Sequence, residues 1–222
     1  MDRKTKLLAF VIIILIVLLS VETYAWQILG KSGNQGSFIR VACVGDSLTG
    51  GTAYPDYLSI LLGSKYVLAR FGVNGATIYL KSDNPYVFTP AFNASKQFEP
   101  QIVIIMLGTN DANPALNESN ADFIKTYSWL VSQFQGLESK PKVWIVKPPP
   151  ILANNAGLDG GYFAQNIIPD IEQVANATGT SVIDVYTAMI GHSGYFPDGV
   201  HPDNDGSAAV ANVTYTALRS VG

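Results

Sequence analysis

The sequence predicts an α/β fold, with one mostly parallel five-stranded sheet covered by helices on both faces. Three observations carry that expectation. Short, almost wholly apolar runs recur along the chain, as strands buried on both faces require. Segments with helical spacing of apolar residues separate them. Glycine, proline or Asn-Asp pairs stand where the runs stop. Alternation of this kind builds a parallel sheet, because each crossover to the next parallel strand needs about a helix of chain.

The elements follow in order from Phe38. The run Phe38–Val44 ends in Gly45 and is expected as the first strand. Tyr54, Tyr57, Leu58 and Leu61 share one helical face, and Gly63 stops that helix after Leu62. Tyr66–Phe71 is the second strand and Ile102–Leu107 the third and clearest. Ala121–Phe134 reads as an amphipathic helix with Phe123, Tyr127, Leu130, Val131 and Phe134 on one face. Lys142–Val146 is the fourth strand, halted by Pro148-Pro149-Pro150. A long helix over Tyr162–Thr178, a fifth strand over Ser181–Val185 and a closing helix over Asp205–Arg219 complete the domain. The loops 78–95 and 147–162 are expected to shape a pocket, where Tyr79, Tyr86 and Phe88 could stack on a sugar, although core packing is the commoner role of aromatic residues in such a loop.

Ahead of this domain, Arg3, Lys4 and Lys6 precede an apolar run from Leu7 to Leu19, and Ser20 to Ala25 follow. Residues 1–25 are therefore expected to be a signal peptide cleaved after Ala25. The competing reading is a signal anchor that keeps the chain on a membrane through residues 7–21. Residues 26–37, rich in Gly and Ser, read as a linker, and 38–222 as a single domain. Sequons at Asn93, Asn117, Asn176 and Asn212 cohere with a secreted or extracytoplasmic glycoprotein. With 48% hydrophobic and 14% charged residues the chain is too apolar to be disordered. A net charge of -3 without a Lys/Arg cluster speaks against nucleic acid as a partner. The one cysteine, Cys43, excludes an internal disulfide and sits in the apolar run Val41–Val44. A buried strand residue is expected there, with a reactive thiol as the alternative.

In parallel sheets reacting groups gather beyond the carboxyl ends of the strands. The first such segment reads Gly45-Asp46-Ser47-Leu48-Thr49. A serine between a buried strand and a helix is a candidate nucleophile, although it can equally cap the helix. A serine needs a base, and the chain has two histidines, His192 and His201. His201 follows Asp198 by three residues, so a tight turn can bring the carboxylate to the ring; a purely structural turn is the alternative. His192, without an acid nearby in sequence, reads as a loop residue, with a place lining the substrate pocket as the alternative. The third strand ends in Gly108-Thr109-Asn110-Asp111, either an amide donor for an oxyanion or a turn. Gly72 and Gly75, in Phe71-Gly72-Val73-Asn74-Gly75-Ala76-Thr77, let the backbone approach a ligand closely. A metal-dependent phosphoesterase built on Asp46, Asn110, Asp111 and His201 is a different chemistry, but two-metal sites draw on several histidines.

These four segments, in this order, resemble the blocks of the SGNH (GDSL) hydrolases: Gly45-Asp46-Ser47-Leu48, Gly75 within Asn74-Gly75-Ala76-Thr77, Gly108-Thr109-Asn110-Asp111 and Asp198-Gly199-Val200-His201. The resemblance runs from about Phe38 to the C-terminus. It implies a three-layer α/β/α sandwich, flavodoxin-like, and a serine esterase that forms an acyl-enzyme. Ser47, His201 and Asp198 would be its triad. The N–H groups of Ser47 and Gly75 and the amide of Asn110 would hold the oxyanion, with Asp46, Thr109 and Asp111 in support. The Asn-Gly-x-Thr context favours Gly75 over Gly72 as donor. No metal or cofactor is implied. More loosely, Thr109 to Pro150 and Phe196-Pro197-Asp198-Gly199-Val200-His201-Pro202 are similar to carbohydrate and sialate O-acetylesterases. That implies a small acyl group, acetyl, on a glycan or related hydroxylated compound. The alternatives are a lipase, arylesterase or thioesterase with the same triad, and a non-catalytic glycan-binding protein of the same fold.

Overall fold

Strand β1 (Ile39–Gly45) sorts its side chains by alternation: Val41 and Cys43 enter one core, Ala42 and Val44 the other. The same division runs through β2 (Tyr66–Gly72), β3 (Ile102–Met106), β4 (Lys142–Lys147) and β5 (Ser181–Asp184). These form one wholly parallel sheet in the order β2-β1-β3-β4-β5. The computed structural model describes residues 38–116 and 119–220. The expected leader 1–25, the linker 26–37 and the Asn117 sequon lie outside these described residues.

Three layers follow from the two cores. Helices α2 (Tyr54–Leu62), α6 (Val185–Met189) and α7 (Asn204–Arg219) cover the Cys43 face, burying Tyr54, Leu58, Met189 and Val210. Helices α3 (Pro90–Gln97), α4 (Asn120–Gln135) and α5 (Ile168–Thr178) cover the Ala42 face through Phe92, Phe123, Tyr127, Phe134 and Ile171. A short helix, α1 (Ser47–Gly50), opens the connection from β1 to α2. Helix starts are set by side-chain caps: Ser119 and Asp122 form a capping box on α4, and Asp203 accepts the Gly206 N–H at the start of α7. Among the described residues no helix is long and apolar enough to cross a membrane.

Three expectations need correction. The helix over Tyr162–Thr178 is not continuous. It begins at Gly160–Tyr162, passes through a π turn at Phe163–Ile167 and becomes α5. The fifth strand stops at Asp184, because that carboxylate accepts the Thr187 N–H at 2.9 Å and starts α6 at Val185. The loop 78–95 contains α3, which Thr89 caps, and Tyr79 and Tyr86 are buried under it. The Tyr86 hydroxyl donates to the Phe71 carbonyl at 2.7 Å, and the Tyr79 hydroxyl lies 3.2 Å from that of Tyr162. Neither ring can stack on a sugar; of the three aromatic residues only Phe88 is open to solvent.

The register places the strand ends level. Gly45 pairs with Gly72 on one side and with Met106 on the other. From β1 the chain moves outward to β2 and then back past β1 to β3, so a crevice opens at the carboxyl edge between β1 and β3.

Candidate active site

Ser47 is the first residue of α1, two positions beyond Gly45. Asp46 caps the helix, its Oδ1 accepting the Leu48 N–H at 2.8 Å. The end of β2 lies directly against α1, so close that a Cβ on Gly72 would collide with the backbone of Gly50. The turn after β2 is thereby brought beside the serine, and the Val73 N–H reaches the Gly45 carbonyl at 2.9 Å. Gly75, at φ 73°, occupies the left-handed region that side chains disfavour.

Asn110 starts a 3-10 turn just past β3 and donates its amide to the Ala76 carbonyl at 2.9 Å. An amide nitrogen carries two hydrogens, and this bond uses one of them. The next residue anchors the whole arrangement. The buried Asp111 carboxylate accepts the Tyr79 N–H at 2.8 Å and the Ile78 N–H at 2.9 and 3.1 Å, one distance to each oxygen. Asn110 and Asp111 together therefore clamp segment 76–79, and with it Gly75, to the end of β3.

The histidine arrives from the opposite end of the chain. Before α7, the Asp198 Oδ1 accepts the N–H of Val200 at 2.9 Å and of His201 at 2.7 Å, folding the four residues into a tight turn. Its Oδ2 meets the His201 Nδ1 at 2.7 Å, and the His201 Nε2 meets the Ser47 Oγ at 2.8 Å. Partial burial pushes the Asp198 carboxyl up, but the His201 N–H, the His201 ring and the Val200 N–H outweigh it and hold it at about 2. It stays a carboxylate wherever the ring needs one. The loop after β4 braces both sides: the Leu152 N–H bonds the Gly199 carbonyl at 2.8 Å and the Asp159 N–H the Ala112 carbonyl at 2.9 Å. Along that loop runs an open cleft of about 610 Å³, walled by Pro114, Ile151, Asn154, Leu158 and Asp159 among others.

The remaining candidates separate from this cluster. Cys43 is fully buried in β1, and burial pushes its thiol up to about 12, which removes it as a nucleophile. His192 stacks flat on Tyr195, ring centres 5.2 Å apart. Both nitrogens of His201 and both oxygens of Asp111 are occupied by hydrogen bonds, so the set Asp46, Asn110, Asp111 and His201 offers a metal few open donors. The sequence had marked Asp111 only as supporting; its hold on two N–H groups more than thirty residues away has no local signature. Asp46 is fully buried, and burial pushes its carboxyl up to about 7 against the pull of the Leu48 N–H.

Comparison with known proteins identifies relatives of this chain. A family model described as the GDSL-like lipase/acylhydrolase family matches residues 43–209. An acetylxylan esterase from Xylanibacter ruminicola is 27% identical over 207 residues, or 82% of this chain; the chain spans less than half of that relative, 43%. A lipase/acylhydrolase from Enterococcus faecalis superposes with a TM-score of 0.67 at 20% identity, over 83% of this chain and 97% of its own. A carbohydrate acetylesterase from Sinorhizobium meliloti does so with 0.63 at 19%, over 83% and 100%. The two structural likenesses speak for the fold.

Removing the Asp111 clamp tests how the site is held. Asp111→Ala leaves the buried Ile78 and Tyr79 N–H groups unpaired and is expected to cost about 2–4 kcal/mol in urea denaturation. A loss below about 0.5 kcal/mol would show that the segment stands without it.

Proposed function

The chain belongs to the GDSL-like lipase/acylhydrolase family, and from that premise we propose that it is a serine esterase releasing small acyl groups, acetyl above all, from carbohydrates or related hydroxylated compounds. The observation that carries this reading is the 2.8 Å approach of the Ser47 hydroxyl to the His201 Nε2, with Asp198 on the far ring nitrogen. A serine hydroxyl is nearly inert at neutral pH, and a neutral imidazole in hydrogen-bonding contact removes that barrier. A protonated ring cannot accept the proton, so the reaction needs His201 in its neutral form.

In the proposed reaction the Ser47 Oγ attacks the ester carbonyl carbon while its proton passes to the His201 Nε2. Asp198 holds the Nδ1–H tautomer and stabilises the imidazolium. Charge develops on the carbonyl oxygen, and the N–H groups of Ser47 and Gly75 with the second amide hydrogen of Asn110 are assigned to it. Collapse expels the alcohol, which takes the proton back from His201. Water, deprotonated by the same nitrogen, then attacks the acyl-enzyme, releasing the acid and restoring Ser47.

Two features support a small acyl group on a hydroxylated alcohol. The cleft along the loop after β4, which bonds the Asp198–His201 turn through Leu152 and Gly199, is open and is walled by polar as well as apolar surface, which suits a sugar better than a long acyl chain. The acetylxylan esterase likeness points the same way. Export, through the leader expected in residues 1–25, would put the enzyme where polysaccharide esters lie.

Two experiments test the reading. Rates on nitrophenyl acetate and nitrophenyl decanoate, together with acetate release from acetylated xylan and acetylated sugars, should favour the acetyl compounds. A strong preference for chains above about eight carbons would overturn the acetylesterase assignment while leaving an esterase. Asn110→Ala should lower kcat by about 10²–10³ with the fold retained, as loss of one oxyanion donor does; unchanged kcat would remove it from the hole.

A further inference from the structure

Asp46 is fully buried directly before the nucleophile, and the reaction proposed above gives it no step. Its Oδ1 accepts the Leu48 N–H, but its Oδ2 has no hydrogen-bond partner among the described residues. The hydroxyl of Thr109, on the turn after β3, is buried beside it and is also without one.

The surroundings do not favour a charge on Asp46. The buried Asp111 carboxyl lies near enough to repel it. Tyr54 from α2 and Tyr127 from α4 are buried phenols close enough to feel it, and burial keeps the protons on both. Among the described residues no ion pair reaches Asp46. Arg70, the cation that acts on the neighbouring Cys43, is committed to the Asp56 carboxylate and the Thr52 carbonyl. Two carboxyls buried together do not both ionise cheaply. Asp111 takes N–H contacts on both of its oxygens and Asp46 on only one, so the proton belongs on Asp46.

We infer that Asp46 is a positioning residue that works as a neutral acid: its Oδ2 carries a proton and donates it to the Thr109 hydroxyl. This ties the nucleophile's turn to the Asn110 turn and leaves no negative charge beside the Ser47 N–H. The effect on rate rests on the serine-esterase reading; the protonation does not. An ionised carboxylate there would oppose the charge that develops on the substrate oxygen. Loss of the proton therefore lowers the rate on the alkaline side.

The sign of the stability effect follows. The folded carboxyl is raised above its unfolded value, so its contribution is complete below about pH 4 and is lost as pH rises through about 7. Asn has the shape of the neutral acid, supplies a donor where the proton sits and cannot ionise.

The test compares the full chain with Asp46→Asn and Asp46→Ala. In carbon NMR with labelled aspartate, one carboxyl signal should titrate near neutrality in the wild type and be absent from Asp46→Asn. The Tm of Asp46→Asn relative to wild type should climb by several degrees between about pH 5 and pH 8. Asp46→Ala should lower kcat about tenfold or more, and Asp46→Asn should restore most of it while abolishing the alkaline fall of the wild-type profile. An Asp46 signal already ionised at about pH 5, or a Tm difference that does not move with pH, would overturn the inference. A wild type without esterase activity would defeat the esterase reading alone, since the NMR and Tm measurements would still decide the proton.

Discussion

The hydrogen bond between Ser47 and His201 joins residues 154 positions apart, so only the packed fold can hold it. A bond of this kind contributes about 1 kcal/mol net, far less than the entropy of bringing two distant segments together. The work is done by α2 and α7, which pack side by side on the same face of the sheet. Tyr54 and Leu58 from one and Val210 and Ala211 from the other are buried over Cys43, Met106 and Val146. The serine precedes α2 through α1, and the histidine turn precedes α7. Fixing the two helices on one apolar surface therefore fixes the serine and the histidine at one edge.

The other half of the site is held by polar groups under the same edge. A parallel sheet brings level strand ends together but leaves the loops beyond them undetermined. Here one buried carboxylate, Asp111, fastens the segment after β2 to the end of β3 through two backbone N–H groups. Fully satisfied buried polar groups of this sort specify a single geometry, whereas an apolar contact would tolerate several. The proximity of Asp46 and Asp111 is the consequence, and an unequal share of N–H donors decides which of the two keeps a proton.

Much of this was legible in the sequence, and the reason differs from part to part. The strands announced themselves because burial on both faces demands unbroken apolar runs such as Ile102–Met106. The Asp198–His201 turn was legible because its hydrogen bonds are local, three residues apart at most. Helix α3 escaped notice because much of its surface is polar, with Asn93, Lys96 and Gln97 along it; the Thr89-Pro90 pair was the signal to read. The π turn at Phe163–Ile167 is a slip in backbone pairing that leaves the apolar pattern intact. That Tyr79 and Tyr86 belong to the core was legible only as a general tendency, since nothing near them in sequence reveals that Asp111 draws their loop inward.

The claim at the centre is that the fold makes one serine reactive by delivering one imidazole to it. Treating the folded chain with a fluorophosphonate and locating the adduct by mass spectrometry tests this directly. The expected result is one adduct per chain, on Ser47, that disappears in His201→Ala. A folded chain that takes no adduct at Ser47, or takes it equally well without His201, would contradict the account.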